Sequence, residues 1–412
     1  LIVDLPRDVP ICLLASASWD TPAPVNVHHI ARRFARRGHR VLFVETAGLR
    51  APVPWLSRDL RRVGQRLRGW MRGVREAEDR LFVVSPMTIP GRPRSKLANA
   101  SLRWAARSIH KALAARGMSA PVVWTFLPSW APIVERLGAR LILYHCVDDY
   151  TGNPGVDAGA IRALEATLLA RADLVLASSP VLAERLRARG AGVRLVPNVA
   201  DVALFSRAAD GDLPEPAPLR GLPRPRLVYT GNMAAYRIDF GVLDALSTAL
   251  PQASLVHVGA VGLGDTTAEP APLRRLRTAP NVVFAGPQPH DELPAWLAHC
   301  DVGLVPFLDN AHTRGSMPLK LWEYLGAGLP VVTTDLPNFA GLAEQGIVRV
   351  ARDRAGFVDA VRAALLEPDE AHPARIARAR DHDWSDRVEE LALLIAEALH
   401  GRQVRERETG RC

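Results

Sequence analysis

Toward the C-terminal end of the chain, a lysine and a glutamate stand one helical turn apart behind a proline, in Ser316-Met317-Pro318-Leu319-Lys320-Leu321-Trp322-Glu323. The surrounding residues read as a polar loop from His312, a short helix opened by Pro318, a glycine stop and a buried strand, Val331–Thr333. Proline suits a first helical turn, where its missing N–H has no intrahelical partner to lose. The loop entering this helix, Ser316 and Met317 with Leu319 just beyond, offers backbone N–H groups and the positive end of the helix dipole. Such an end suits a phosphate. Lys320 adds a full positive charge to the same turn, and Glu323 can set a carboxylate against two neighbouring ribose hydroxyls. Diphosphate and ribose together point to a nucleotide-activated substrate.

A second group closes an apolar run. Leu141–Cys146 leads through His145 to Asp148 and Asp149. Acidic residues at the C-terminal end of a buried strand lie where α/β sheets hold ligands. A carboxylate or a histidine placed there can take the proton of an attacking hydroxyl. Asp148 or Asp149 could serve, with His145 orienting or sharing the proton; alternatively Asp149 caps a turn. Two adjacent aspartates could also suggest a metal, but cationic side chains can replace one, and no metal requirement is expected.

These groups need a scaffold, and composition bounds it. A chain of 412 residues is too long for one ordinary core, so two domains are expected. Hydrophobic residues make up 48% and charged residues 23%, as in a soluble globular protein. The net charge of +9 is almost entirely arginine, since lysine occurs only at 96, 111 and 320. No recognition motif accompanies the arginines, so nucleic acid is not an expected partner. Cys12, Cys146, Cys300 and Cys412 form no CxxC pair and read as thiols in a reducing compartment. With no signal-peptide pattern and no apolar run long enough to span a bilayer, the expected location is the cytoplasm.

Short apolar runs alternate with helical patterns throughout, which argues for α/β architecture with parallel sheets. Strands are expected at Pro10–Ala15, Arg40–Val44, Leu81–Val84, Val122–Phe126, Leu141–Cys146, Leu174–Ser178 and Val193–Val196. After the proline- and glycine-rich stretch 207–226 they resume at Leu227–Thr230, Ser254–Val258, Val282–Phe284, Val302–Val305, Val331–Thr333 and Ile347–Val350. The expected division is an N-terminal domain over 1–206, a linker over 207–226 and a C-terminal domain over 227–382. A terminal helix over 383–400 and a mobile tail over 401–412 complete the chain.

The ordered series of segments resembles the GT-B glycosyltransferases, family 4 (glycosyl transferases group 1) and its relatives. The likeness is carried by His29–Val41, Ala172–Ser179 followed by Val196–Asp201, Leu227–Gly231, Asn281–Gly286, Asp301–Pro306 and, most strongly, Pro318–Val332. The resemblance implies two doubly wound Rossmann-like domains facing a central cleft, with the terminal helix crossing back to the first domain. It also implies transfer of a sugar from a nucleotide diphosphate donor to a hydroxyl of a glycan, a lipid-linked or a small-molecule acceptor, without a cofactor. Arg237, after the turn Gly231-Asn232, is thereby placed as a second cation for the diphosphate. Gly286 and Pro287 let the base approach the backbone. Trp19, Asn26 and His28 fall where acceptors bind.

Two departures stand out. Gly315 occupies the first position of the family's glutamate pair, leaving Glu323 as its second member. Ser18–Pro24 replaces a glycine-rich loop. Retention and inversion therefore both stay open, and two other readings fit: a GT-B-fold nucleotide-sugar epimerase, and a catalytically silent binding or scaffold protein.

From Leu56 to Arg75 the apolar Leu56, Leu60, Val63, Leu67, Trp70, Met71 and Val74 share one side of a helical wheel, with arginines over much of the rest. That pattern suits a helix lying on an anionic membrane surface, at the inner face of the cytoplasmic membrane. An ordinary amphipathic helix packed on the first domain fits it equally.

Overall fold

Most of the chain's strands are four- or five-residue apolar runs with no polar side to show to water. Each must be covered on both faces, as in a parallel sheet walled by helices. The computed structural model describes residues 4–21, 24–45, 69–88, 96–265, 268–368 and 370–408. The chain divides into two units. One contains Leu1–Thr151, Gly155–Val196 and Val388–Cys412; the other contains Gly152–Pro154 and Pro197–Arg387.

In the first unit, β1 (Ile11–Leu14), β2 (Val41–Val44), β3 (Arg75–Glu78), β4 (Leu81–Val84), β5 (Val122–Thr125), β6 (Leu141–Cys146), β7 (Leu174–Ala177) and β8 (Val193–Leu195) form one sheet. Its order is β3-β4-β2-β1-β5-β6-β7-β8. Every pairing is parallel except β3 on β4. The order reverses between β1 and β5. Helices Asn26–Arg36, Lys96–Ala114, Ala158–Leu169 and Pro180–Arg187 belong to this unit. Its core holds Phe34, Phe43, Trp124 and Tyr144, all with no exposed surface. Burial of each such side chain stabilises the fold by about 1.5–3 kcal/mol.

The second unit has six parallel strands: β9 (Arg226–Thr230), β10 (Ser254–Val258), β11 (Val282–Gly286), β12 (Val302–Val305), β13 (Val331–Thr334) and β14 (Arg349–Ala351). The order β11-β10-β9-β12-β13-β14 reverses between β9 and β12. Ligands of open α/β sheets collect beyond the carboxyl ends of the strands at such a reversal.

The expected runs Leu81–Val84, Leu141–Cys146, Ser254–Val258 and Val302–Val305 are strands over the same residues. Strand β3 was not expected, because Arg-Glu-Ala-Glu has no apolar pattern; as an antiparallel edge it needs little. The stretch 207–226 is not a free linker. Leu219 is buried in the second core, and Arg226 opens β9 with its guanidinium on Glu215 and the carbonyls of Leu219 and Leu222. The change of unit falls instead at Val196–Pro197.

The terminal helix runs Trp384–Glu408, so residues 401–408 are helical rather than a loose tail. From Val388 on it belongs to the first unit, where Glu389 pairs with Arg37 and Arg402 donates to Asp173 at 3.0 Å. Of the amphipathic stretch 56–75, residues 56–68 lie outside the described residues. Of its described end, residues 69–71 are helical, and the chain leaves the helix before Arg75, which opens β3. Among the described residues no helix is long and apolar enough to cross a membrane. Cys12, Cys146 and Cys300 are buried, and burial pushes each thiol up to about 12.

Candidate functional site

At the reversal of the second sheet, β9 runs out into Gly231 and β12 into Pro306-Phe307. Segment 236–238 folds against 307–310. Ile238 bridges Phe307, the Leu308 N–H donates to the Arg237 carbonyl at 2.8 Å, and the Asn310 amide donates to the Tyr236 carbonyl at 2.8 Å. This stitching delivers Arg237 to the strand ends, its guanidinium 5.9 Å from the centre of the Phe307 ring.

Lys320 reaches the same ring from the helix Leu319–Gly326, with Nζ 5.5 Å from its centre and 4.6 Å from that of Tyr229. Its ammonium donates to the Tyr229 hydroxyl at 3.3 Å. Loss of water, reinforced by the nearby Arg237 charge, lowers the Lys320 pKa to about 7. Two cations thus flank one aromatic ring, repelling each other across a poorly hydrated space. An anion placed there relieves that repulsion.

The chain ahead of this helix is held by two asparagines. Asn198 donates to the Met317 carbonyl at 2.6 Å, and Asn338 donates to the Arg314 and Ser316 carbonyls at 2.6 and 3.2 Å. Pro318 stands at the N-cap, one position before its expected place, so Leu319 and Lys320 are the first helical residues. The polar loop read at His312 is in part a helical turn, Ala311–Gly315, capped by Asn310.

Glu323 is almost buried, its Oε1 3.4 Å from His290 Nε2. Tyr324 holds the helix to β9, its hydroxyl accepting from the Thr230 N–H at 2.7 Å. Beneath the turn, neutral His257 donates to the Gly231 carbonyl at 2.8 Å, and burial lowers its pKa to about 4. Gly259 packs so close that a Cβ there would collide with the Gly231 carbonyl. Gly286 closes β11 at φ +73°, a conformation that favours glycine, and Pro287 is exposed beside it.

One expected donor group is already spent. The Asn232 side chain donates to and accepts from the Leu263 backbone, at 2.8 and 3.1 Å, so it braces the turn. The structure therefore brings together Gly231, Arg237, Lys320 and the 316–319 entry, with Glu323 one turn on. Sequence reasoning missed His312, Asn198, Asn338, His257 and His290. Their only signal was being polar residues beside strand or helix ends.

In the first unit the residues expected at the acceptor and catalytic positions lie as follows. Trp19 is 8% exposed, packed edge-on to Phe43 with its ring centre 5.7 Å from that of His28, and Arg32 lies over it at 4.7 Å. His28 is buried; its Nδ1 accepts from the Val25 N–H at 3.1 Å, which leaves Nε2 to donate to the Ser18 carbonyl at 2.9 Å. Both rings pack here, His28 also caps the helix Asn26–Arg36, and Asn26 is buried with them. His145 sits in β6 among rings, 6.0 Å from Trp124 and 5.4 Å from Phe126.

Asp149 is a cap, as one reading had it. Its Oδ1 accepts from the Thr151 N–H and hydroxyl at 3.0 and 2.6 Å, with Arg185 3.7 Å away. Arg185 also makes a two-pronged pair with buried Glu165, which accepts from Tyr144 and Arg189 as well. Asp148 is half-buried, and no side chain among the described residues hydrogen-bonds its carboxylate. Nor, among the described residues, are three His, Cys, Asp or Glu side chains arranged to hold a metal ion.

Comparison with known proteins bears out the resemblance. Residues 224–367 match the family model described as Glycosyl transferases group 1. Over 182 residues the chain is 30% identical to the Bacillus subtilis (strain 168) protein named "Putative teichuronic acid biosynthesis glycosyltransferase TuaH". That match covers 43% of this chain and 44% of the relative, under half the length of either. Among solved structures, sucrose-phosphate synthase from Thermosynechococcus elongatus superposes with a TM-score of 0.67 at 16% identity, covering 95% of this chain and all of that one. Anabaena HepE, solved with UDP and glucose, gives 0.64 at 15% identity, with 95% and 99% covered. The fold is GT-B, and residues 224–367 are similar to the group 1 glycosyl transferases.

Proposed function

We propose that the chain is a glycosyltransferase that moves a sugar from a nucleotide diphosphate donor to a hydroxyl of a glycan, a glycolipid or a small-molecule acceptor. The observation that carries this reading is the convergence of Arg237 and Lys320 on Phe307, with Glu323 one turn further along the helix. Cations fixed in a poorly hydrated place oppose the charge that grows on a departing diphosphate, so they favour the transition state over the ground state. The same two charges supply what a metal would otherwise supply, and turnover proceeds without metal or organic cofactor. Glu323 accepts from the ribose hydroxyls, steadied by His290. The backbone at Gly231, Ser316, Met317 and Leu319 lines the phosphates, and that at Gly286 and Pro287 the base.

HepE, by its description, binds UDP and glucose, which supports a nucleotide-sugar donor here. The name of the Bacillus relative, a teichuronic acid biosynthesis glycosyltransferase, supports a glycan acceptor. Asp148 is the better candidate for proton acceptor, because Asp149 is occupied as a cap. Exposed Trp70, Met71 and Trp104, with Arg72, Arg103, Arg107 and Lys111 beside them in sequence, support contact with an anionic membrane surface at its cytoplasmic face.

The test is titration calorimetry with a panel of nucleoside diphosphates, followed by turnover of the matching nucleotide sugars with and without EDTA. Micromolar uptake of one diphosphate and EDTA-resistant transfer are expected. No uptake of any member refutes the proposal. Conversion of the donor without an acceptor favours the epimerase, and uptake without turnover on any acceptor favours a binding protein.

A further inference from the structure

His312 is buried, 2% exposed, with its Nε2 2.7 Å from Nη2 of Arg237. A guanidinium carries only N–H groups and keeps its charge at any physiological pH. The imidazole nitrogen must therefore be the acceptor, which makes His312 neutral with its proton on Nδ1. The ring is held for this task from two sides. Asn310 caps its helical turn, accepting from the His312 and Thr313 N–H groups at 3.0 and 3.1 Å. The Tyr236 ring meets the imidazole edge-on at 5.3 Å. Asn310 also donates to the Tyr236 carbonyl, so one side chain locks both the turn bearing Arg237 and the helical turn bearing His312.

We propose that His312 is the positioning residue that aims Arg237 at the diphosphate, by accepting one of its N–H groups. The inference rests on the reading of this site as a diphosphate site. An aspartate in the same place would hold the guanidinium as firmly, but would cancel the charge the ligand needs. A neutral acceptor orients the cation and leaves its charge intact.

The experiment is a double-mutant cycle on the full chain, with UDP and inorganic pyrophosphate as titrants in calorimetry. R237A weakens the bound probe more than tenfold, the effect of losing a hydrogen bond to a charged group. H312L weakens it about tenfold when Arg237 is present and not at all in the R237A background. H312Q, whose amide oxygen can accept the same N–H, restores most of the affinity. Nitrogen-15 NMR of the wild-type histidines, with H312Q used for assignment, reports the neutral Nδ1–H form at pH 7 without relying on a variant that loses its fold.

If R237A weakens binding while H312L has no effect, or has the same effect in both backgrounds, the positioning role is wrong and the site reading survives. An Nε2–H form of His312 also overturns it. Uptake of neither probe, nor of any other nucleoside diphosphate, by the wild type overturns both.

Discussion

A lysine lowered to about 7 has a consequence for donor binding that pH alone can reveal. In the free protein Lys320 is close to half-protonated at neutral pH, and increasingly neutral above it. A bound diphosphate needs the ammonium and restores the group toward its ordinary value of 10.5. Between those two values each complex takes up a proton, so affinity falls by as much as about tenfold per pH unit, or about 1.4 kcal/mol. From pH 7.5 to 9.5 the UDP dissociation constant should rise by roughly 70-fold. The diphosphate itself contributes little there, because its last proton leaves near pH 6.

Folding stability moves the opposite way. The unfolded chain binds the Lys320 proton more tightly than the folded one, so this group's penalty is complete below pH 7 and is relieved as pH rises toward 10.5. Calorimetry in two buffers of different ionisation enthalpy, at pH 8.5, should count about one proton per UDP. K320R, which cannot lose its charge in this range, should flatten the profile. A flat wild-type profile with no proton uptake would refute the reasoning.

Three further outcomes follow from the same geometry. E323A should weaken ribonucleoside diphosphates by about tenfold and leave inorganic pyrophosphate unchanged, because the carboxylate meets ribose rather than phosphate; equal losses for both would sink that role. G259A should destabilise the fold by about 3 kcal/mol or more, since a Cβ would strike the Gly231 carbonyl and φ there is +151°; an unchanged melting temperature would contradict it. His257, held neutral, should make the fold lose stability as pH drops from 6.5 toward 4, where the unfolded chain takes the proton first. The loss should be about 3 kcal/mol at most, and urea unfolding of H257N should lack this part of the pH dependence.

The alternation of strands and helices was legible because it is written in short-range pattern. Runs such as Leu141–Cys146 and Val302–Val305 are wholly apolar and bounded by polar or turn residues, so their extent can be read directly. Gly38 at φ +106° ends a helix for local steric reasons. Pro318, Lys320 and Glu323 were legible because a helix fixes their relative placement within one turn. Strand β3 and the buried segment after Arg207 were not, since their partners are chosen at a distance.

The same division runs through the site. Trp19, His28 and His145 have the side chains of ligand-binding residues, yet each fills a ring cluster that only the assembled sheet creates. Asp149 could cap or catalyse until the fold set Thr151 and Arg185 beside it.

By itself, the sequence determined where the backbone is helical or extended and which helix carries the cation and the carboxylate, because those properties depend on residues a few positions apart. Tertiary structure decided which polar groups remain available. Whether Asn198 meets Met317, or Arg237 meets His312, depends on contacts between residues 119 and 75 positions apart in the chain. Burial then decides whether such a group is spent on the fold or left for a substrate.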